Sequence, residues 1–170
     1  MKQALGILCI FAILTGCQQS PETKFARDGI SLTCPAGWKI TDEDTIEGNG
    51  YCISIEKDGL NSSGLLSVSW FTDSVDPSAY MDAYMEEMKN NVIYKSSNIN
   101  FEDYAESQFK NNPSLSVKYN MSLISVAHTG IIHILYAHGK TITILRQEAI
   151  EDLDKNKDGF ELLEQSFAIE

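Results

Sequence analysis

Leu115-Ser116-Val117-Lys118-Tyr119-Asn120-Met121-Ser122-Leu123 alternates apolar and polar side chains without a break. A period of two belongs to a β-strand, whose successive side chains point to opposite faces. Leu115, Val117, Tyr119, Met121 and Leu123 then make a buried face, and Ser116, Lys118, Asn120 and Ser122 a wet one. A strand dry on one side only is expected in an antiparallel sheet covered on one face. Downstream, residues 130–136 and 141–146 read as two more strands, joined through Ala137-His138-Gly139-Lys140 as a hairpin.

Working outward, Asp76-Pro77 opens a helix, because Asp caps and Pro suits the first helical position. Met81, Tyr84, Met85, Met88 and Val92 fall on one helical face, opposite Asp82, Glu86 and Lys89. A Met-lined stripe beside a sheet reads as core. Residues 92–104 read as a bent strand and Asn111-Asn112-Pro113 as a turn. At the far end, Phe160, Leu163 and Phe167 share the face of a last helix. On the N-terminal side, residues 25–32 read as one strand, and Cys34-Pro35-Ala36-Gly37-Trp38 as a turn. The acid- and Gly-rich residues 42–50 read as a loop. Tyr51, Ile53 and Ile55 mark a second strand, and residues 65–71 its partner. Strands, one helix, more strands and a final helix define an α+β fold: an antiparallel β-sheet with a helix after the first strands and a C-terminal helix packed on it.

Ahead of these elements lies a different signal. Lys2 is followed by the apolar run 4–14 and then by Leu14-Thr15-Gly16-Cys17. A charged start, a short apolar stretch and small residues before a cleavage point form a secretory signal peptide. The run is shorter than the roughly 20 residues a spanning helix needs. Leu-Thr-Gly-Cys resembles the lipobox of bacterial lipoproteins. That resemblance implies diacylation of Cys17 on sulfur, cleavage just before it, and acylation of the new amine by a palmitate-type chain. Several chains anchor firmly where one holds marginally. The expected organisation is a signal at 1–16, a lipidated tether at 17–24 and one α+β domain at 25–170. Gln18, rather than the Asp of an inner-membrane retention signal, favours the outer membrane if the host is Gram-negative.

Four segments carry a second resemblance. "ISLTCPAGW" is similar to the strand-Pro-x-Gly-Trp opening of PsbP/Mog1-like proteins, "DPSAYMDAYMEEM" to their first helix, and "GIIHILYAHGKTITIL" with "FELLEQSF" to their closing hairpin and last helix. The resemblance implies a sheet with helices packed on it, and a binding or accessory role, since that superfamily includes envelope lipoproteins and few enzymes. It supplies no catalytic residues, and Cys34 and Cys52 are not part of its pattern.

Charge and motifs narrow the function. The formal net charge of −11 argues against nucleic acid, which needs clustered basic residues. Outside the cytoplasm Cys34 and Cys52 are free to bridge, a link worth about 3 kcal/mol in the loop-entropy view. The alternative is two buried thiols acting as small apolar residues.

Asp154-x-Asn156-x-Asp158-Gly159 starts like a calcium loop, with oxygen ligands at positions 1, 3 and 5 and Gly at 6. Gln165 stands where the bidentate Glu belongs, however, and Glu164 comes one place early. The same residues also read as a helix start, with Asp158 as cap and Glu161 three residues on. His128, His133 and His138 recur every five residues, a spacing that sends strand neighbours to opposite faces rather than onto one metal.

No nucleophile elbow, HExxH or phosphate loop is present. The expected function is therefore non-catalytic: an anchored module that binds an envelope protein, with residues 42–47 or 94–109 as the partner surface. The alternatives are calcium binding at Asp154, Asn156 and Asp158, and carriage of a small apolar ligand between the Met-lined helix and the sheet.

Overall fold

A computed structural model describes residues 20–46, 48, 50–59 and 62–170. The signal segment, including Cys17, lies outside the described residues. β1 (Thr23–Arg27) and β2 (Ile30–Cys34) pair as a hairpin, followed by a meander of β3 (Trp38–Ile46), β4 (Gly50–Lys57) and β5 (Leu65–Phe71). After α1 (Pro77–Asn90) come the short β6 (Asn100–Phe101) and β7 (Ala105–Phe109). The long β8 (Asn112–Leu123), β9 (Val126–Ala137) and β10 (Lys140–Ala149) follow. A 3₁₀ turn, Ile150–Asp152, enters α2 (Leu153–Ser166), and β11 (Ala168–Ile169) ends the chain.

The main sheet is antiparallel in the order β3-β4-β5-β10-β9-β8-β6, with β7 also on the outer edge of β8; β1-β2-β11 forms a separate small sheet. The expected α+β class and helix positions are found. The expected one-sided cover is not. One face packs Met81 and Met88 of α1 on Val117, Tyr119, Ile132, Ile134 and Leu145. The other packs Phe160 and Leu163 of α2, with Ile30, Leu32 and Cys34 of the small sheet, on Ile53, Val68, Leu135 and Ile144. The central β9 and β10 are thus dry on both sides, while β8 keeps the wet stripe of Lys118 and Asn120.

Other boundaries move for local reasons. The single first strand is two, because Asp28 and Gly29 both take positive φ (50° and 76°), the geometry of a tight hairpin turn. The fold begins at Thr23, inside the expected tether, and Ser20 already accepts a 2.8 Å hydrogen bond from Gly37 N–H. The acidic residues 42–46 continue β3 rather than forming a loop; that half of the strand is exposed, so it carries no apolar period. Pro113 lies inside β8, and the turn is Lys110-Asn111. Val92 is outside α1 and exposed, and residues 92–98 are turns rather than strand.

α2 starts at Leu153, so Asp158 caps nothing. By contrast α1 starts as expected, with Asp76 accepting from Ala79 N–H at 2.8 Å and Pro77 in the first turn.

Candidate functional site

α1 lies over β8 and β9 and leaves two openings against the sheet, one at each of its ends. At its C-terminal end a cleft of about 210 Å³ is lined by Leu65, Leu145, Tyr84, Met88 and Tyr94, with Ser54, Ser67, Glu87 and Asn91 at its polar side. The polar side arises because Cys52, Ser54, Ser67 and Ser69 alternate with core residues on β4 and β5 and face the α1 side. Behind it, Tyr119 Oη and Tyr94 Oη donate to Gln147 Oε1 at 3.1 and 3.4 Å. Burial, reinforced by the neighbouring tyrosines, raises the hydroxyl pKa of Tyr84 and Tyr119 far above the ordinary phenol range, so both stay neutral donors.

At the N-terminal end of α1 a groove of about 630 Å³ runs between Pro77 and Ser78, the β7–β8 edge at Gln108 and Pro113, and Ile134 and Tyr136. Its volume falls within the range of small-molecule sites, about 300 to 1,000 Å³. On the opposite face of the sheet, a pocket of about 260 Å³ is lined by Lys118, Thr129, Ile131, Arg146, Glu148 and Leu153. There Arg146 stacks over Phe160 (4.1 Å to the centroid), and its Nη2 donates to Glu148 Oε1 at 2.7 Å. Glu148 is 2% exposed, and its Oε2 has no partner among the described residues. Sequence reading passed over this pocket; the signal was the triplet Arg146-Gln147-Glu148 inside an apolar strand.

The residues singled out by sequence do not assemble into one site. Asp154, Asn156 and Asp158 stand on α2 rather than in a loop. On a helix, Asn156 projects away from the side shared by the two aspartates; it is fully buried and its side-chain amide has no partner among the described residues. Calcium-loop geometry is therefore absent. Gly159, read as the turn glycine of that loop, is there because Trp38 packs against the helix.

Cys34 and Cys52 are both free thiols. Cys34 faces the same core as Ile53, whereas Cys52 alternates with Ile53 and looks to the other face of the main sheet, so β4 separates them. Burial raises the pKa of both. His133 is buried, with Nδ1 3.1 Å from Ser114 Oγ, and burial lowers its pKa; His128 bonds Val126 O at 3.0 Å and His138 sits in the hairpin turn. No cluster of three His, Cys, Asp or Glu side chains fit for a metal occurs among the described residues. Of the expected partner surfaces, 42–47 coincides up to Ile46 with the exposed end of β3, where Glu43 is tied to Tyr51 Oη at 2.6 Å, while Glu47 lies outside the described residues; 94–109 is split between turns, β6 and β7.

No family model matches the chain, and no curated protein sequence does. Solved structures do. The solution structure of cyanobacterial PsbP (CyanoP) from Synechocystis aligns with a TM-score of 0.58 and 17% identity, over 92% of this chain and 95% of that one. The crystal structure of LpqN, involved in cell envelope biogenesis of Mycobacterium tuberculosis, aligns with a TM-score of 0.54 and 14% identity, over 88% and 90%. The chain has a PsbP-like α+β fold, as its opening strand, helices and closing hairpin suggested. Fold at this distance carries no activity with it.

Proposed function

We propose that this chain is a lipid-anchored accessory module of the bacterial cell envelope, which binds an envelope protein and performs no chemistry of its own. The observation that carries the reading is Leu14-Thr15-Gly16-Cys17, with only residues 18–22 between the lipid cysteine and β1. A short tether of this kind holds the fold against the membrane that bears the acyl chains. Support comes from a fold shared with LpqN, a protein involved in cell envelope biogenesis. Gln18 after the cysteine favours the outer membrane in a Gram-negative host. The mature protein would start at Cys17, with the module extending from Thr23 to the C-terminus.

The test is the intact mass and fractionation of the protein expressed with its own signal, beside Cys17→Ala. Acyl mass on a membrane-bound wild type, absent from the variant, is the expected result; an unmodified wild type overturns the anchor. Pull-down from detergent-solubilised envelopes then identifies the partner. A protein recovered alone and monomeric would overturn the accessory role.

A second reading, carriage of a small apolar ligand, is favoured by the groove of about 630 Å³ at the start of α1. Native mass spectrometry of protein isolated from envelopes should show a retained lipophilic molecule. Protein that is empty throughout would dismiss it.

A further inference from the structure

The large apolar side chains left exposed are not scattered. Val92, Ile93, Ile124, Val126, Ile150 and Leu153 are exposed among the described residues, and all six lie at one end of the main sheet. Strand register establishes this. The β8–β9 hairpin turns at Ile124 and Ser125, beyond the pair His128–Ala149 where β10 ends. Ile150 and Leu153 follow directly from Ala149, and Leu65 and Gln147 pair at the same end. Val92 and Ile93 leave α1 beside them, where Ile93 shares a depression with Leu123 and Ile124. At the opposite end only Ile46 and Tyr136 are exposed large apolar residues among those described.

The hairpin tip is built against local preference. Ile124 and Ser125 have φ of 50° and 65°, a turn geometry usually given to Asn-Gly, and a β-branched residue is a true outlier there. The side chain held in this way is 99% exposed. The hairpin also runs two residues past β10, which carries it about 7 Å beyond the body of the sheet.

The chain enters the fold at this same end. Ser20 is fixed there by its Oγ, which donates to Asp58 Oδ2 at 2.7 Å, and Asp58 follows the last residue of β4. Two residues, Gln18 and Gln19, separate Ser20 from Cys17, so the three steps between them reach about 10 Å at full extension. Four strand spacings, about 19 Å, separate β4 from the β8 tip. A lipid on Cys17 would therefore bring the whole end, tip included, onto one flat surface.

We infer that this end is a membrane-facing surface, and that Ile124, with Val92, Ile93 and Val126, seats among the lipids of the bilayer that holds the anchor. The inference rests on the proposed acylation of Cys17 for its orientation. With a net charge of −11 the chain has little electrostatic attraction to anionic lipid, so apolar insertion is the contact that remains. Oriented in this way, the protein directs the opposite end of the sheet, with the groove at the start of α1, away from the membrane.

The test uses the protein expressed with its own signal, its mass determined, in phosphatidylcholine vesicles that contain a phosphatidylcholine with a photoreactive diazirine in the acyl chain. After irradiation, lipid adducts are expected on the peptides holding residues 92–93 and 123–126. Ile124→Asp, at a side chain already in solvent, should keep the near-ultraviolet circular dichroism spectrum and lose those adducts roughly fivefold or more. Acylated protein labelled only near Cys17, or equally around Ile46 and Tyr136, overturns the inference and leaves the anchor standing. Protein without acyl mass overturns the anchor alone if the tip is still labelled, and both if it is not.

Discussion

The Trp38 indole occupies the space that a side chain on Gly159 would need: a Cβ there would lie 2.6 Å from Cε2 and Cζ2 of the ring. Gly64 meets the same ring from β5's side, 3.0 Å from Cζ3 for a Cβ built on it, and Phe160 contacts it edge-on at 5.0 Å between centroids. Trp38 thus pins the first strand of the main sheet to α2. In an ordinary helix interior Gly→Ala gains up to about 1 kcal/mol. Here Gly159→Ala should instead cost about 1 to 3 kcal/mol through overpacking. Chemical denaturation followed by Trp fluorescence checks the sign; a stabilised variant would mean that the indole moves aside freely.

The two described cysteines, Cys34 and Cys52, should behave as separate thiols. They stand on opposite faces of β4's sheet, and burial raises both pKa values, so thiolate is scarce at neutral pH. Folded protein should alkylate slowly, and reductant should leave its Tm unchanged. A mass short by two hydrogens, together with a Tm that falls on reduction, would show a bridge instead.

What the sequence reveals follows from how each element is buried. β8 is legible because α1 dries one face while Lys118 and Asn120 stay wet on the other. The hairpin between β9 and β10 is legible because His138 and Gly139 both take positive φ, as their residue types suggest. The start of α2 is hidden, since Asn156 is a polar residue at a fully buried position and breaks the apolar period. The β8–β9 turn is hidden for the converse reason: Ile124-Ser125 has none of the chemistry its geometry prefers. Of the candidate sites, the pocket at Glu148 and the clefts beside α1 depend on strands far apart in sequence meeting across the sheet. No local spacing could announce them.

His133 should give the stability a pH dependence near neutrality. It is packed against Phe109 (5.3 Å between centroids) and Ser114, and burial lowers its pKa from the ordinary 6.5. The unfolded chain takes up a proton at about 6.5 while the folded one does not, so the unfolded state binds more protons as pH falls below that value. Stability from this group is complete above 6.5 and declines as pH drops from there to the lowered folded pKa. Asp76 and Asp152, whose pKa values are depressed below 3.8 by hydrogen bonds to Ala79 N–H and Lys155, act only in more acidic solution. Tm measured between pH 8 and 5 should therefore decline in the wild type and stay flatter in His133→Gln. Parallel curves would place the dependence elsewhere.

Tyr119 and Gly130 face each other across β8 and β9, and a Cβ on Gly130 would lie 2.6 Å from Tyr119 Cε1. The missing side chain lets the ring cross the neighbouring strand and bring its hydroxyl to Gln147 Oε1, the acceptor also used by Tyr94 from the turn after α1. Tyr119→Phe removes the shorter bond and leaves Gln147 buried with only the 3.4 Å contact, so a loss of about 1 to 2 kcal/mol is expected. Gly130→Ala should cost a similar amount by overpacking while leaving every donor in place. The two effects share one ring, so they should not add: in a Tyr119→Leu background the Gly130→Ala penalty should shrink by about 1 kcal/mol or more. Urea unfolding of the four chains closes this cycle. Strict additivity would show that the glycine serves the strand rather than the ring, and that Tyr119 reaches Gln147 without it.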